Sequence, residues 1–213
     1  MMGGVRRART AADRVAQAQA ARDVFDRMAA FSTVRRAGRC FRLSYWHVGD
    51  VDRDRMDWAF RLTRANMKDQ YDKCGGEWKW NDYRKRLEME ESPARYVFVR
   101  LAGDADREDR DVGFAHLRFE NEDGAAQVYV YEVQVDREFQ GIGLGKLLMQ
   151  VVELSGCLFG LDKVVLTVFD TNEKALGLYR RLKYIKDASD PSLCNMVCER
   201  GYQILCKLLP KTG

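Results

Sequence analysis

Residues 137–154, REFQGIGLGKLLMQVVEL, set glycines at positions 141, 143 and 145 directly before a helical apolar pattern. Because glycine has no side chain, the backbone of such a turn can approach a ligand closely. The free N–H groups in the first turn of the following helix then point at an anion. The stretch predicts a turn that holds a phosphate-bearing ligand. A glycine-rich turn without a ligand is the less favoured interpretation.

Three kinds of phosphate-binding loop can be compared with this turn. The triphosphate loop GxxxxGK[ST] is excluded, because Gln140 stands where its first glycine belongs and Leu147 where its hydroxyl belongs. The dinucleotide fingerprint GxGxxG requires a glycine at the position of Lys146, and it should follow the first strand of a βαβ unit. The third pattern, Gln-x-x-Gly-x-Gly, is satisfied by Gln140, Gly143 and Gly145.

The remaining chain predicts helices first, then strands, then alternating helix and strand. Apolar spacing favours helices over residues 10–31, 54–71, 78–91, 145–158 and 173–182. Strand patterns occupy residues 41–47, 96–102, 112–120, 125–135 and 164–169, with a last strand inside 201–209. This order predicts an α+β or mixed α/β fold. We expect residues 1–39 to form a helical arm packed on one domain of residues 40–213.

The amino-acid composition argues against two classes of function, nucleic-acid binding and membrane association. Net charge is +4, and the 36 basic and 32 acidic residues are interspersed, which is typical of a solvated surface and gives no support to direct nucleic-acid binding. No apolar run reaches the ~20 residues of a membrane span, so we expect a soluble intracellular protein without membrane contact. The locally basic segment 5–14 suggests a nuclear address, an organellar presequence, a tethering arm or, most simply, an amphipathic helix.

The cysteines predict reduced thiols and no metal site. They stand at positions 40, 74, 157, 194, 198 and 206, without a CxxC pair. Cys194 and Cys198 could begin a zinc site, but the chain has only two histidines and no second close pair. We therefore predict that no metal is bound.

The Gln140, Gly143 and Gly145 pattern resembles the pyrophosphate loop of the GCN5-related N-acetyltransferases. The resemblance implies a central, mostly antiparallel sheet flanked by helices, here with an extra N-terminal helix, and acetyl-coenzyme A as cofactor. It also implies a bulge in the strand before the loop, at residues 133–135, and an asparagine and a tyrosine on a later helix. The implied cofactor-binding residues are Val133, Gln134, Val135, Gln140, Gly141, Ile142, Gly143, Leu144, Gly145, Lys146, Asn172 and Tyr179. Asn172 could equally be an ordinary helix cap.

Further segments resemble one branch of that superfamily, the type-D N-alpha-acetyltransferases, which acetylate the N-terminal serine of histone H4 and histone 2A. These segments are DWAFRLTRANMKDQY (57–71), AHLRFE (115–120), YVYEVQV (129–135), GLGK (143–146) and VVLTVF (164–169). The resemblance implies histone tails beginning Ser-Gly-Arg-Gly as partners and direct transfer in a ternary complex. It also implies a monomer without an auxiliary subunit, found in nucleus and cytoplasm.

The chemistry needs a base and a proton donor. A free α-amine has a pKa of about 7.7–8.0, against about 10.4 for lysine, so a carboxylate acting through water is a sufficient base. Glu132 is that candidate, and the Val133 N–H would stabilise the developing oxyanion. Tyr131 is the first choice to protonate the leaving thiolate, ahead of Tyr179, because the type-D branch has phenylalanine at the latter position. Tyr71 completes the predicted catalytic set.

The resemblance implies a peptide-binding set, which is Tyr71, Glu120, Tyr131, Thr167, Ser189 and Tyr202. Glu120 stands where the branch has aspartate, so the carboxylate is kept with a longer reach. The arginine of the tail could be held by four acidic residues, namely Glu120, Glu122, Asp187 and Asp190. Trp78 and Trp80 either wall the site or belong to the core.

Two alternatives remain open at this stage. A lysine or small-amine acetyltransferase of the same fold would share the whole cofactor apparatus. A non-catalytic module that binds coenzyme A or chromatin would retain the glycine turn without turnover.

Overall fold

The computed structural model describes residues 9–103, 108–193 and 201–211. The helices are α1 (Ala11–Ala20), α2 (Arg53–Cys74), α3 (Asp82–Glu90), α4 (Leu144–Leu158) and α5 (Glu173–Arg181). The strands are β1 (Thr33–Arg36), β2 (Arg39–His47), β3 (Arg95–Leu101), β4 (Arg110–Glu122), β5 (Ala125–Val135), β6 (Lys163–Phe169), β7 (Ile185–Lys186) and β8 (Tyr202–Leu208). They form one sheet in the order β1-β2-β3-β4-β5-β6-β8-β7. Within the described residues, every pairing is antiparallel except β5 with β6. The predicted mixed α/β fold with a mostly antiparallel sheet is confirmed.

Apolar side chains point alternately to the two faces of the central strands and form two separate cores. On β3, Val97 and Val99 face a large core that also contains the apolar side of α4, whereas Tyr96 and Phe98 face a smaller core with α2. Successive strand residues point to opposite faces, so these two cores lie on the two sides of the sheet. Helices therefore cover both faces of the sheet.

The N-terminal segment differs from the predicted single helix over residues 10–31. Helix α1 ends at Ala20, and residues 25–27 and 29–31 form two short 3₁₀ turns. The Asp23 carboxylate accepts a hydrogen bond from the Phe25 N–H at 2.8 Å, a side-chain contact that competes with helix continuation. Residues 33–36, which were predicted within a helical arm, form strand β1. The division of the chain at residue 39 stays a prediction.

A register shift shapes the centre of the sheet. The pairing of β4 with β5 shifts between His116 and Leu117, whose partners on β5 are Glu132 and Val130. Tyr131 is therefore the extra residue of a β-bulge. The parallel pairing of β5 with β6 ends where Val130 meets Leu166, and beyond it β5 pairs with β4 while β6 pairs with β8. The bulge therefore lies at Tyr131, two residues before the predicted position at residues 133–135, which pair regularly with β4.

Helix α1 is tied to the edge of the large core by a polar clamp. The Arg14 guanidinium donates to both carboxylate oxygens of Asp162, at 2.9 and 2.8 Å, and also to the Gly160 carbonyl. The Gln19 side chain donates to the Phe119 carbonyl at 2.8 Å. The pKa of Asp162 is held below its usual value, first by the hydrogen bond from Arg14.

We expect Arg14→Met to lower the free energy of unfolding by about 1–2 kcal/mol at pH 7, because a bidentate, half-buried charged contact is lost. A depressed carboxyl pKa stabilises the fold above the unfolded pKa of about 3.9, and this contribution disappears as the pH falls through the folded pKa. Urea unfolding between pH 7 and pH 3 should show the two proteins converging at low pH. Arg27→Met, at an exposed arginine 3.4 Å from the Leu158 carbonyl, is the matched control and should change little.

Within the described residues, no helix combines the length and the apolar character that crossing a membrane requires.

Candidate active site

A cavity of about 150 Å³ lies where β5 and β6 diverge. Its walls come from α2, α3, α5 and the two diverging strands. The cavity brings together eight of the predicted site residues, which are Tyr71, Tyr131, Glu132, Val133, Gln134, Thr167, Asn172 and Tyr179. The divergence thus opens the sheet at the position predicted to hold the reacting groups.

Glu132 is buried at the centre of this cavity wall, with 5% of its surface exposed. Its Oε1 accepts a hydrogen bond from the Lys85 ammonium at 2.9 Å, and its Oε2 accepts one from the Gln134 amide at 2.7 Å. The Tyr71 hydroxyl lies 3.5 Å from the same Oε1. A buried carboxylate needs a counter-charge, and the Lys85 ammonium supplies it for Glu132. Glu132 is therefore held by two protein donors in the wall of the cavity.

Lys85 is a residue of the cavity wall that sequence reasoning missed. It lies in α3, within the charged run DYRKRLEME, where any one lysine is expected to be solvated. The available signal is its spacing of four residues from Met89, which places both side chains on one face of the helix. Both residues are buried.

Burial and charge change the protonation of the groups around Glu132. Burial opposes the charge on Lys85, but Glu132, Tyr71 and Glu88 together raise its pKa above the ordinary value. Burial, followed by the charge of Glu132, raises the pKa of Tyr71. Burial also raises the pKa of Glu88. Tyr71 therefore keeps its proton, and Lys85 keeps its charge.

The bulge residue Tyr131 is held from two sides. Its hydroxyl donates to Glu120 Oε1 at 3.1 Å, and its ring stacks on His116 with centroids 4.9 Å apart. The Arg118 guanidinium lies 4.2 Å from the centre of the same ring. Burial and then the Glu120 charge raise the pKa of Tyr131, so its hydroxyl stays protonated.

Two positions earlier, Tyr129 shares the cavity wall. Its hydroxyl and the Thr167 hydroxyl lie 2.7 Å apart and bridge β5 to β6 at the point of divergence. Sequence reasoning did not select Tyr129, although its spacing of two from Tyr131 places both side chains on one face of β5. Tyr129 and Thr167 are thus one hydrogen-bonded pair rather than independent groups.

Other predicted peptide-binding residues lie at the rim or outside the cavity wall. The Tyr202 ring packs on Trp78, a wall residue, with centroids 4.9 Å apart. The Ser189 hydroxyl donates to Asp187 at 2.7 Å. Trp80 packs edge-on against Tyr71 at 5.3 Å, so both tryptophans border the site.

Two acidic residues expected near the peptide are used by the fold instead. Asp187 is 3% exposed and pairs with Lys163 at 2.7 Å. Asp190 is 1% exposed and accepts hydrogen bonds from the backbone N–H groups of Ser192 and Ile204. The interpretation of these aspartates as holders of a substrate arginine was wrong, because their oxygens are already satisfied inside the protein.

The glycine turn has the predicted geometry. Gly141 and Gly143 have φ values of 80° and 93°, which side chains disfavour, and Gly143 is the N-cap of α4. The N–H groups that follow Gly143 in the first turn have no partner within the helix. A Cβ added to Gly141 would meet nothing within 4 Å, so the turn leaves open space beside its backbone. Gly145 packs closely on α5, because an added Cβ would lie 3.4 Å from Leu178.

The residues behind the turn hold it against the sheet. The Gln140 amide donates to the Val135 carbonyl at 3.0 Å, and the Asn66 amide donates to the same carbonyl at 3.2 Å. Asn172 caps α5, since its side-chain oxygen accepts from the Ala175 N–H at 3.2 Å. These residues would fit a phosphate-bearing cofactor, with the N–H groups at the α4 N-terminus available to its phosphates.

In the described ranges, no group of three His, Cys, Asp or Glu side chains is placed so that it could hold a metal ion. Cys194 and Cys198, the sequence-based candidates for a metal pair, lie outside the described residues.

Residues 61–184, more than half of the chain, match the sequence model of the acetyltransferase (GNAT) family. The chain belongs to this family. Its cofactor is accordingly acetyl-coenzyme A, and its reaction is acetyl transfer.

Solved structures share the fold at low sequence identity. A GNAT-family acetyltransferase from Listeria monocytogenes superimposes with a TM-score of 0.56 and 16% identity, covering 83% of this chain and 99% of that chain. Arabidopsis thaliana NAA60, in complex with a bisubstrate analogue, gives 0.55 and 10%, covering 80% and 99%. Ard1 from Thermoplasma volcanium gives 0.53 and 13%, covering 79% and 99%.

Proposed function

We propose that this protein is a type-D N-alpha-acetyltransferase, which transfers the acetyl group of acetyl-coenzyme A to the N-terminal serine of histone H4 and histone 2A tails. The observation that carries the proposal is the position of Glu132, a buried carboxylate that shares one cavity wall with Tyr71, Tyr131 and Thr167. The peptide-binding set implied by the type-D resemblance includes three residues of this wall.

The wall residues suit direct attack by an amine in a ternary complex. When bound, acetyl-coenzyme A supplies the thioester whose carbonyl carbon is attacked. Glu132 accepts the amine proton through water, as general bases do over short hydrogen-bonded paths. The Val133 N–H is the candidate donor to the carbonyl oxygen on which negative charge develops. Tyr131 remains the first candidate to protonate the leaving thiolate, with Tyr179 second.

The acidic residues of β4 near Tyr131 suit a tail with arginine at its third residue. Two of the four predicted acidic residues remain as candidates to bind this arginine. They are Glu120, which contacts Tyr131, and Glu122, which lies two residues further along β4. Burial raises the pKa of Glu120, so pairing with a guanidinium would favour its charged form. A peptide partner agrees with the bisubstrate analogue CoA-Ac-MVNAL, in which coenzyme A is joined to a peptide, bound to Arabidopsis thaliana Naa50.

The same proposal includes a monomer that needs no auxiliary subunit and works in nucleus and cytoplasm. Direct nucleic-acid contact is not part of it.

We expect incubation with acetyl-coenzyme A to add one acetyl group to a Ser-Gly-Arg-Gly-Lys peptide and none to a copy with a blocked N-terminus. Intact-mass spectrometry before and after incubation measures this directly. A peptide with glutamate in place of the third-residue arginine is the matched control. It should react more slowly, because its carboxylate would be repelled by Glu120 and Glu122.

Other outcomes would replace the proposal. Acetylation of the blocked copy would make the protein a lysine acetyltransferase. No transfer to either peptide, with coenzyme A still bound, would favour a non-catalytic module or a small-amine substrate.

A further inference from the structure

A buried ammonium group sits against the proposed base. The Lys85 side chain is 5% exposed, and its Nζ lies 2.7 Å from the Tyr71 hydroxyl, 2.7 Å from Glu88 Oε1 and 2.9 Å from Glu132 Oε1. An ammonium has three protons to donate, so these contacts use all of them. Since Gln134 donates to the second oxygen of Glu132, both oxygens of the carboxylate have protein donors before a substrate arrives.

The groups that face Lys85 from other elements leave its charge in place. Burial keeps the pKa of His116 on β4 well below its usual value and raises that of Tyr96 on β3, so both are neutral, as Tyr71 on α2 is. Arg118 on β4 donates to the Glu88 backbone carbonyl at 2.7 Å and pairs with Glu91. The charges within direct contact of Lys85 are therefore those of Glu132 and Glu88.

We propose, building on the proposed function, that Lys85 is a positioning residue that lowers the pKa of a substrate amine bound beside Glu132. An ammonium group brought to Glu132 would stand beside a second, fixed ammonium that already pairs with the carboxylate. Glu132 and Glu88 raise the pKa of a bound amine, and the charge of Lys85 opposes them, so a neutral residue in place of Lys85 should raise that pKa by roughly one to two units. Lys85 thereby keeps a larger fraction of the bound amine neutral and able to attack.

The consequence concerns the protonation of the bound amine. An N-terminal α-amine has a free pKa of about 7.7–8.0, so a shift of one to two units decides whether the bound amine is mostly neutral near pH 7.5. A lysine side chain, at about 10.4, would stay mostly charged in the same site with or without Lys85. The roughly 300-fold difference in neutral fraction between the two amines belongs to the amines themselves, and Lys85 adds its effect to it.

The test is the pH dependence of kcat and of kcat/KM with a Ser-Gly-Arg-Gly-Lys peptide. The kcat profile reports groups in the enzyme–substrate complex, and the kcat/KM profile reports the free enzyme and free substrate. For Lys85→Met we expect the acidic limb of kcat to move up by about one to two units while that of kcat/KM stays in place. Lys85→Arg should keep the wild-type profile. Glu88→Gln, which removes a negative charge at a partly exposed position, should move the kcat limb down.

A second measurement does not depend on turnover. Two unreactive peptides are compared by calorimetry in the presence of coenzyme A, one beginning with a trimethylammonium group and the other with a tert-butyl group of the same shape. We expect the preference for the neutral peptide to be at least about tenfold larger in the wild type than in Lys85→Met, as one pKa unit of charge interaction requires.

Unchanged kcat limbs, or an equal preference in the two proteins, would overturn the inference. A parallel shift of both profiles in Lys85→Met would also overturn it, because the titrating group would then be Glu132 itself. If Lys85→Met does not fold, Lys85→Gln takes its place, with the same upward shift of the kcat limb expected. Absence of turnover by the wild type would refute the proposed function instead, and the paired peptides would still test the charge preference.

Discussion

Glu132→Gln should lower kcat for a Ser-Gly-Arg-Gly-Lys peptide by about 10²- to 10³-fold, because a positioned general base contributes an acceleration of this order. Glutamine has nearly the same shape as glutamate and can still accept a hydrogen bond from Lys85, but it cannot take up a proton. Affinity for acetyl-coenzyme A should stay within about twofold, since the glycine turn lies at the far end of the cofactor site. Steady-state kinetics and calorimetry measure the two quantities on one preparation.

The matched control for that loss of a carboxylate is Glu138→Gln. Glu138 is an exposed glutamate whose side chain is 69% accessible and pairs with Arg110. Its substitution should leave kcat within about twofold of the wild type, because exposed ion pairs contribute little. A Glu132→Gln enzyme with wild-type kcat and an unchanged pH profile would show that the amine loses its proton to another group, and Glu132 would then be only a structural partner of Lys85.

The elements that were predicted well from the sequence are those with a strong periodicity of apolar residues. The alternation in AAQVYVYEVQV and the apolar face of residues 145–158 each leave one arrangement that buries their apolar side chains. These two segments form β5, which contains the candidate base Glu132, and α4, which begins at the glycine turn. The site could therefore be located from sequence because its two halves lie at the ends of strongly patterned elements.

The elements and residues that were predicted wrongly or missed have weak or misleading sequence patterns. Strand β1, TVRR, has no buried residue and is recognised only through its pairing with β2. Lys85 was missed because a charged run on a helix normally faces water, and only the tertiary position of Glu132 makes its burial favourable. Asp187 and Asp190 are the reverse case, since acidic residues near a turn are usually exposed, and here the fold uses both as buried acceptors.

Gly143→Val should weaken binding of acetyl-coenzyme A by roughly 10- to 150-fold, which corresponds to losing one charge-assisted hydrogen bond of about 1.5–3 kcal/mol. A β-branched residue does not tolerate the φ of 93° at this position, so the turn must change its backbone to accept it. The first-turn N–H groups of α4 would then no longer converge on one phosphate. Calorimetric titration with acetyl-coenzyme A gives the dissociation constant.

Gly124→Val is the control that separates this effect from general backbone strain. Gly124 has a φ of 78° in the turn between β4 and β5, and an added Cβ there would meet nothing within 4 Å. The nearest atom to an added Cβ at Gly143 is the Arg36 side chain at 4.0 Å, so neither substitution causes a clash with the backbone. Both should lower the melting temperature, since a side chain in this conformation costs about 1–2 kcal/mol. Only Gly143→Val should lose cofactor affinity, and an equal loss in both would mean that the turn before α4 does not hold the phosphates.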